Sequence, residues 1–332
     1  MRLASLRVVG VPLLQERVGV QLSDGRWLDA NLAYAGYLGA HGKTARPQAA
    51  ADAYLPPDMV AIIRGEAGSL SLLRALFDWG EERVSKGEEP LGPNGERVAF
   101  REEELRWLPP VPRPGKVIAL GLNFRDHLAE GGPLHKEPPF PMGFVKVTSS
   151  LVGHREPILV PRDSRAVDYE VELAVVVGAR CKGVRRERAL EHVFGYTIFN
   201  DVSEREIQIP EFGVGLINLG KNLDTFGPMG PWVVTADELS DPDGLELELW
   251  VNDEEAPRQR SNTRHLVFDI PRILEHWSQQ SLEPGDILTT GTPGGVAIFH
   301  KPPDPWYLKP GDVVRARVEG VGVLENPVRQ AP

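Results

Sequence analysis

Three carboxylates stand where they can act together. In Asp168-Tyr-Glu170-Val-Glu172-Leu-Ala-Val-Val-Val177, an extended backbone alternates its side chains with a period of two, so Glu170 and Glu172 point at one place. Asp201 follows the apolar run Tyr196 to Phe199, where a strand would deliver it to the rim of a sheet. A half-exposed antiparallel strand with an acidic outer face reads the same way locally. Against that reading, Ala174 and Val176 continue the glutamate face as apolar residues, as in a strand buried on both sides. An unpaired buried carboxylate costs on the order of several kcal/mol, relieved by a cationic partner, a raised pKa or a metal. Three acids without His or Cys suit a hard cation, Mg2+ with Mn2+ or Ca2+ as substitutes. Octahedral Mg2+ would keep about three positions for water and a chelating 1,3-dicarbonyl or 2-oxo acid.

His127 and Glu130 lie three residues apart and share a face if the segment is helical. A carboxylate beside an imidazole fixes its tautomer and raises its basicity, as a water-activating base requires. The same spacing is common on solvated helices. Lys221 sits in a segment bounded by glycines and prolines, from which a long side chain can reach a cleft and stabilise an enolate or a carboxylate. Gly291-Thr-Pro-Gly-Gly295 follows the run Ile287 to Thr290; such a turn can aim backbone amides at an anion, or be an ordinary tight loop.

The elements that must position these residues fall into two units. Residues 1–108 read as a small mixed α/β domain. It opens with an apolar patch from Val8 to Leu14, taken as strand and turn. Val18 to Leu22, Asp24-Gly25 and Trp27 to Leu32 then read as a hairpin. Leu70, Leu73, Leu76 and Phe77 recur at helical spacing before a charged stretch, Glu81 to Glu89, expected to run into a loop. Residues 109–115, rich in proline, form a linker. Residues 116–332 are β-rich, with apolar runs Lys116 to Leu120, Val171 to Val177, Tyr196 to Phe199, Leu245 to Val251 and Val313 to Val318. Glu283-Pro-Gly-Asp286 and Lys309-Pro-Gly-Asp312 suit type II turns, and Asp269 to Gln280 reads as a helix.

The chain has 332 residues, 41% hydrophobic and 25% charged, with a formal net charge of -10. Excess negative charge disfavours nucleic acid and anionic membranes. No run reaches the roughly 18 apolar residues of a spanning helix. Cys181 is the single cysteine, which excludes an intramolecular disulfide and a Cys-based zinc site and fits a reducing cytoplasm.

Taken together, Gly121-Leu-Asn-Phe-Arg-Asp-His127, Phe144-Val-Lys146 with Ser149-Ser150, Asp168-Tyr-Glu-Val-Glu172, Asn200-Asp-Val-Ser-Glu-Arg205 with Gln208, Lys221, and Gly291-Thr-Pro-Gly294 resemble the fumarylacetoacetate hydrolase family, bacterial type, in the family's order. The resemblance runs from about Lys116 to Val328. It implies an α+β, β-rich fold of rolled mixed sheets around a metal site, commonly in a homodimer, with Glu170, Glu172 and Asp201 as metal ligands. It implies that His127 and Glu130 activate water on a short lid helix, and that Lys146, Arg205, Gln208 and Thr292 bind substrate while Lys221 takes part in catalysis. Phe124 stands where many bacterial relatives have tyrosine. Leu120 stands where animal hydrolases carry a further acidic ligand, which argues against animal-type specificity.

The activity so implied is hydrolysis of a carbon–carbon bond in an acylpyruvate, fumarylpyruvate or fumarylacetoacetate type of diketo acid, in catabolism of aromatic compounds. Similar members decarboxylate or isomerise 2-oxo diacids, as in oxaloacetate decarboxylase or 2-hydroxyhepta-2,4-diene-1,7-dioate isomerase, so fold and metal leave the reaction open. A metal-stabilised binding protein is the reading from another class, and the His127 and Glu130 pair argues against it.

Overall fold

The computed structural model describes residues 1–10, 15–132 and 136–332. The molecule is mixed α+β and sheet-rich. Its main sheet runs, in spatial order, through Ala99–Phe100, Trp27–Asp29, Arg17–Gln21, Arg2–Val8, Gly227–Thr235, Val193–Asn200, Val171–Val177, Ile287–Thr289, Val117–Leu120 and Gly143–Lys146, with Leu105–Trp107 and Leu151–Val152 paired off this path. The path has two ends, so the sheet does not close into a barrel. A second sheet orders Gln259–Asn262, Glu246–Val251, Val313–Val318, Gly322–Gln330 and Ile158–Val160. Parallel and antiparallel pairs coexist: Ile287–Thr289 lies parallel to Val117–Leu120 and antiparallel to Val171–Val177.

Val171–Val177 is buried along its whole length because it is covered on both faces. Val171, Leu173, Val175 and Val177 join a core with Leu247, Leu249 and Val251 of the second sheet. Ala174 and Val176 face a different core, with Leu28, Ile62 and Leu73 of the N-terminal segment. The apolar run from Leu173 to Val177 is therefore the signature of burial on both sides.

The expected hairpin forms: Arg17–Gln21 pairs with Trp27–Asp29, and Gly25 supplies the left-handed turn position at φ 86°. Asp29 then caps the helix Ala30–Ala40 by accepting from the amides of Asn31 and Leu32. The amphipathic helix is longer than expected, Glu66–Ser85. Its charged end stays helical because Glu and Arg are good helix formers. Glu82 and Lys86 pair across one turn at 2.5 Å, and Gly87 at φ 69° ends the run. Both Pro-Gly turns close as expected, with Asp286 N–H on Glu283 O and Asp312 N–H on Lys309 O, each at 3.0 Å. The expected helix near Asp269 spans Ile270–Trp277, capped by Asp269. Of the patch Val8 to Leu14, residues 11–14 lie outside the described residues.

Arg2–Val8 pairs with Gly227–Thr235, so the segments before and after the proline-rich connector share one sheet. No described helix is long and apolar enough to cross a membrane.

Candidate metal centre

Strand register assembles the acids. Val171 pairs with Asn200 and Glu172 with Phe199. The pairing continues as Asp201 N–H donates to Glu170 O at 2.8 Å, so Asp201 arrives beside Glu170 and Glu172. Ligand atoms of the three lie within 4.8 Å of one another, and all three side chains are buried.

Around them, among the described residues, stand a fourth buried carboxylate, Asp168, and three buried cations, Lys146, Lys221 and Arg205. Lys146 Nζ meets Asp201 Oδ1 at 2.7 Å. Lys221 Nζ lies 2.7 Å from both Glu170 Oε2 and Asp201 Oδ2. Arg205 donates to Glu170 Oε1 at 2.7 Å and to Asp168 Oδ2 at 2.9 Å. Burial opposes the Glu170 charge, but Lys221 and Arg205 outweigh it and hold its carboxyl down at about 2. Burial also works against Lys221, which Asp201 and Glu170 hold above the ordinary lysine range. Lys146 goes the other way, pushed down by burial against the pull of Asp201.

Glu172 is the exception. Burial, then the charges of Asp201 and Glu170, push its carboxyl well above the usual range. Its Oε2 accepts from Gly291 N–H at 3.0 Å, whereas Oε1 is buried with no hydrogen-bond partner. An orphaned carboxylate oxygen costs about 1–3 kcal/mol or more. Two neighbouring acids and an all-oxygen donor set make a divalent cation the natural partner, and the residues fit one.

His127 and Glu130 lie on the helix Arg125–Gly131, with Nδ1 3.3 Å from Glu130 Oε2. The glycine-rich turn does aim amides at anions, and these anions are the protein's own. Gly291 N–H serves Glu172, Gly294 N–H serves Asp126 at 3.2 Å, and Gly295 N–H serves Glu130 Oε1 at 2.5 Å. One loop thus holds a cluster acid and the partner of His127.

Other expected site residues take more structural contacts than foreseen. Lys221 rises from a short helical turn, Leu219–Asn222. Gln208 accepts from Arg205 at 2.5 Å. The Thr292 hydroxyl donates to Val171 O at 3.1 Å and accepts from Gln259 at 2.9 Å. Lys146 also donates to Lys221 O.

Sequence reasoning passed over Gln259 and gave Asp168 no role. Gln259 is fully buried; its Oε1 accepts from Val171 N–H and its Nε2 donates to Thr292 Oγ1 and Pro293 O. It comes from a distant strand and carries no local signal. In the sequence Asp168 continues the period-two spacing of Glu170 and Glu172, a signal that was present. A cavity of about 910 Å³ lined by Asp24, Arg26, Glu89 and Arg97 lies in the N-terminal segment and includes none of these residues. The buried cluster is the candidate site.

The profile described as fumarylacetoacetate (FAA) hydrolase C-terminal matches residues 116–329, well over half of the chain. The chain belongs to the fumarylacetoacetate hydrolase family. This family member is 41% identical over 310 residues to a Burkholderia multivorans protein with a provisional hydrolase name, covering 93% of each. It is 39% identical over 259 residues to a mitochondrial oxaloacetate tautomerase of Xenopus laevis, covering 77% of this chain and 78% of that one. Among solved structures it is similar to maleylpyruvate hydrolase from Sphingobium sp. SYK-6 in complex with manganese(II) ion and pyruvate. The TM-score there is 0.69, with 30% identity and all of both chains covered.

Proposed function

We propose that this fumarylacetoacetate hydrolase family member is a Mg2+-dependent hydrolase, with Mn2+ or Ca2+ as substitutes, that cleaves a carbon–carbon bond in a β-diketo acid of the acylpyruvate, fumarylpyruvate or fumarylacetoacetate type. The observation that carries this reading is the His127 and Glu130 pair, 3.3 Å apart on one helical turn, with Glu130 fixed in turn by the Gly295 amide. Manganese and pyruvate in the maleylpyruvate hydrolase structure support the metal and the 2-oxo acid class.

Glu170, Glu172 and Asp201 would hold the cation, which supplies Lewis-acid polarisation of the substrate's carbonyl oxygens. His127 takes a proton from water, and Glu130 orients the ring and offsets the charge that forms. The water oxygen attacks the distal carbonyl carbon. The carbon–carbon bond then breaks, the acyl half leaves as a carboxylic acid, the electron pair passes into the 2-oxo acid fragment, and the proton held on His127 converts that fragment to pyruvate or a homologue. Lys221 places positive charge beside that fragment. Lys146, Arg205, Gln208 and Thr292 border it, Lys146 and Arg205 also holding Asp201 and Glu170.

A second reading, tautomerisation, isomerisation or decarboxylation of a 2-oxo diacid, is favoured by the 39% identity to oxaloacetate tautomerase; it needs no attacking water. We also propose a cytoplasmic homodimer. Val145, Val147, Ile209, Phe212, Val214 and Leu216 are each at least 44% exposed, a concentration of apolar surface that a partner copy would cover.

The test is product release from acylpyruvates, fumarylpyruvate and oxaloacetate, with Mg2+ and with chelator, for wild type and His127→Ala. Mg2+-dependent cleavage of a diketo acid that is lost in the variant is expected. Turnover of oxaloacetate alone, retained in the variant, would replace hydrolysis by the second reading. No metal-dependent product on the panel would favour a binding protein.

A further inference from the structure

Asp168 has no solvent exposure, and its carboxylate is ringed by donors. Oδ1 accepts from the amides of Tyr169 and Ala297, both at 2.8 Å. Oδ2 accepts from Ile298 N–H at 3.2 Å and from Arg205 Nε at 2.9 Å. These donors lead in two directions. Arg205 goes on to Glu170 Oε1 at 2.7 Å. Ile298 sits in the turn Ala297–Phe299, and the ring of Phe299 stands edge-on to His127 with centroids 5.7 Å apart. One carboxylate is therefore tied to an arm of the acid cluster on one side and to the wall beside the imidazole on the other.

The chemistry of the position demands an acid. Four N–H groups converge on two oxygens, and an ionised carboxylate offers acceptors and no donor. An asparagine would turn an NH2 toward some of those same N–H groups and leave the buried Arg205 charge half-compensated, with its neighbouring amides unpaired.

We infer that Asp168 is a positioning residue that couples the placement of Glu170 to the placement of His127. The inference rests on the reading above, in which Glu170 holds the cation and His127 is the base. Both Asp168 oxygens are committed to protein donors, so it acts through them. It holds Arg205 and the Ala297–Phe299 turn to each other, so fixing Glu170 by a cation also fixes the wall against which His127 packs.

The experiment measures Mn2+ affinity by electron paramagnetic resonance, the His127 Cε1–Hε1 signal by NMR with diamagnetic Mg2+, and hydrogen exchange of the Ala297 and Ile298 amides. Asp168→Asn is expected to weaken Mn2+ binding roughly 10–100-fold, the usual effect of losing a residue that orients a ligand, and to move the His127 signal. Phe299→Leu should move the His127 signal and leave Mn2+ affinity unchanged, a split that general destabilisation does not produce. In wild type, Mg2+ should slow exchange of the Ala297 and Ile298 amides, a measurement that stands even if Asp168→Asn fails to fold. The coupling is overturned if Asp168→Asn alters only one of the two readouts or neither, or if amide exchange is indifferent to Mg2+ in a wild type that binds Mn2+; the functional reading survives either result. A wild type that binds no Mn2+ overturns both.

Discussion

Glu172 combines an oxygen shielded from water and lacking a donor with a carboxyl pushed up by burial and by two neighbouring acids. Glu172→Gln keeps the shape and removes the charge. Mn2+ affinity should fall by more than the roughly 100-fold that loss of an orienting partner costs, with turnover at background; a calorimetric titration showing wild-type affinity would remove Glu172 from the ligand set. A second buried residue reports on stability. Burial, and then the charge of Arg155, hold His154 down at about 4 against an ordinary 6.5, and its Nδ1 accepts from Glu325 N–H at 3.0 Å. A histidine kept neutral in the fold binds its proton more readily when unfolded. Its contribution, up to about 3 kcal/mol, is therefore complete above pH 6.5 and lost as pH falls toward 4. In thermal melts His154→Gln should flatten the fall of Tm between pH 6.5 and 4; a curve parallel to wild type would contradict this.

At the scale of elements, the loop after Ile287–Thr289 does two tasks through its backbone, holding Glu172 and Glu130. That dual use depends on a glycine. Gly295 has φ 103°, and a Cβ there would lie 2.1 Å from Arg258 O. Backbone must shift to admit a methyl group, at a strain of about 1–3 kcal/mol or more, and the amide leaves Glu130. Gly295→Ala should lower kcat on the order of 100-fold, the low end of what a positioned base contributes, with a reduced Tm. Unchanged kcat in a well-folded variant would show that Glu130 does not need this amide. The strand Val171–Val177 was legible from its apolar run, broken only by Glu172, and Asp201 from its place after Tyr196 to Phe199. Gln259 was not legible, because what makes it matter is a contact made across 88 residues.

Across the whole molecule, Gly143–Lys146 ends the path of the main sheet, and its Val145 is 54% exposed while Phe212 on the neighbouring surface is 56% exposed. Sheet edges and apolar surface both invite association. Val145→Glu with Phe212→Glu should convert a dimer to monomer in light scattering after gel filtration, and a wild type that is already monomeric at micromolar concentration would dismiss the dimer. By itself the sequence determined the buried strand that carries Glu172, with Glu170 just before it, the helical turn carrying His127 and Glu130, the turns at Gly25, Gly285 and Gly311, and the family. Each rests on side-chain period, on φ preferences or on ordered motifs, which are local properties. Tertiary structure decided the rest. Antiparallel register brought Asp201 to Glu170, partner distances turned Arg205 and Thr292 toward the protein's own carboxylate and carbonyl, and the amides of Gly291, Gly294 and Gly295 were spent on internal acids. Pairing of buried charges depends on which groups arrive together, and that is fixed only when distant strands meet.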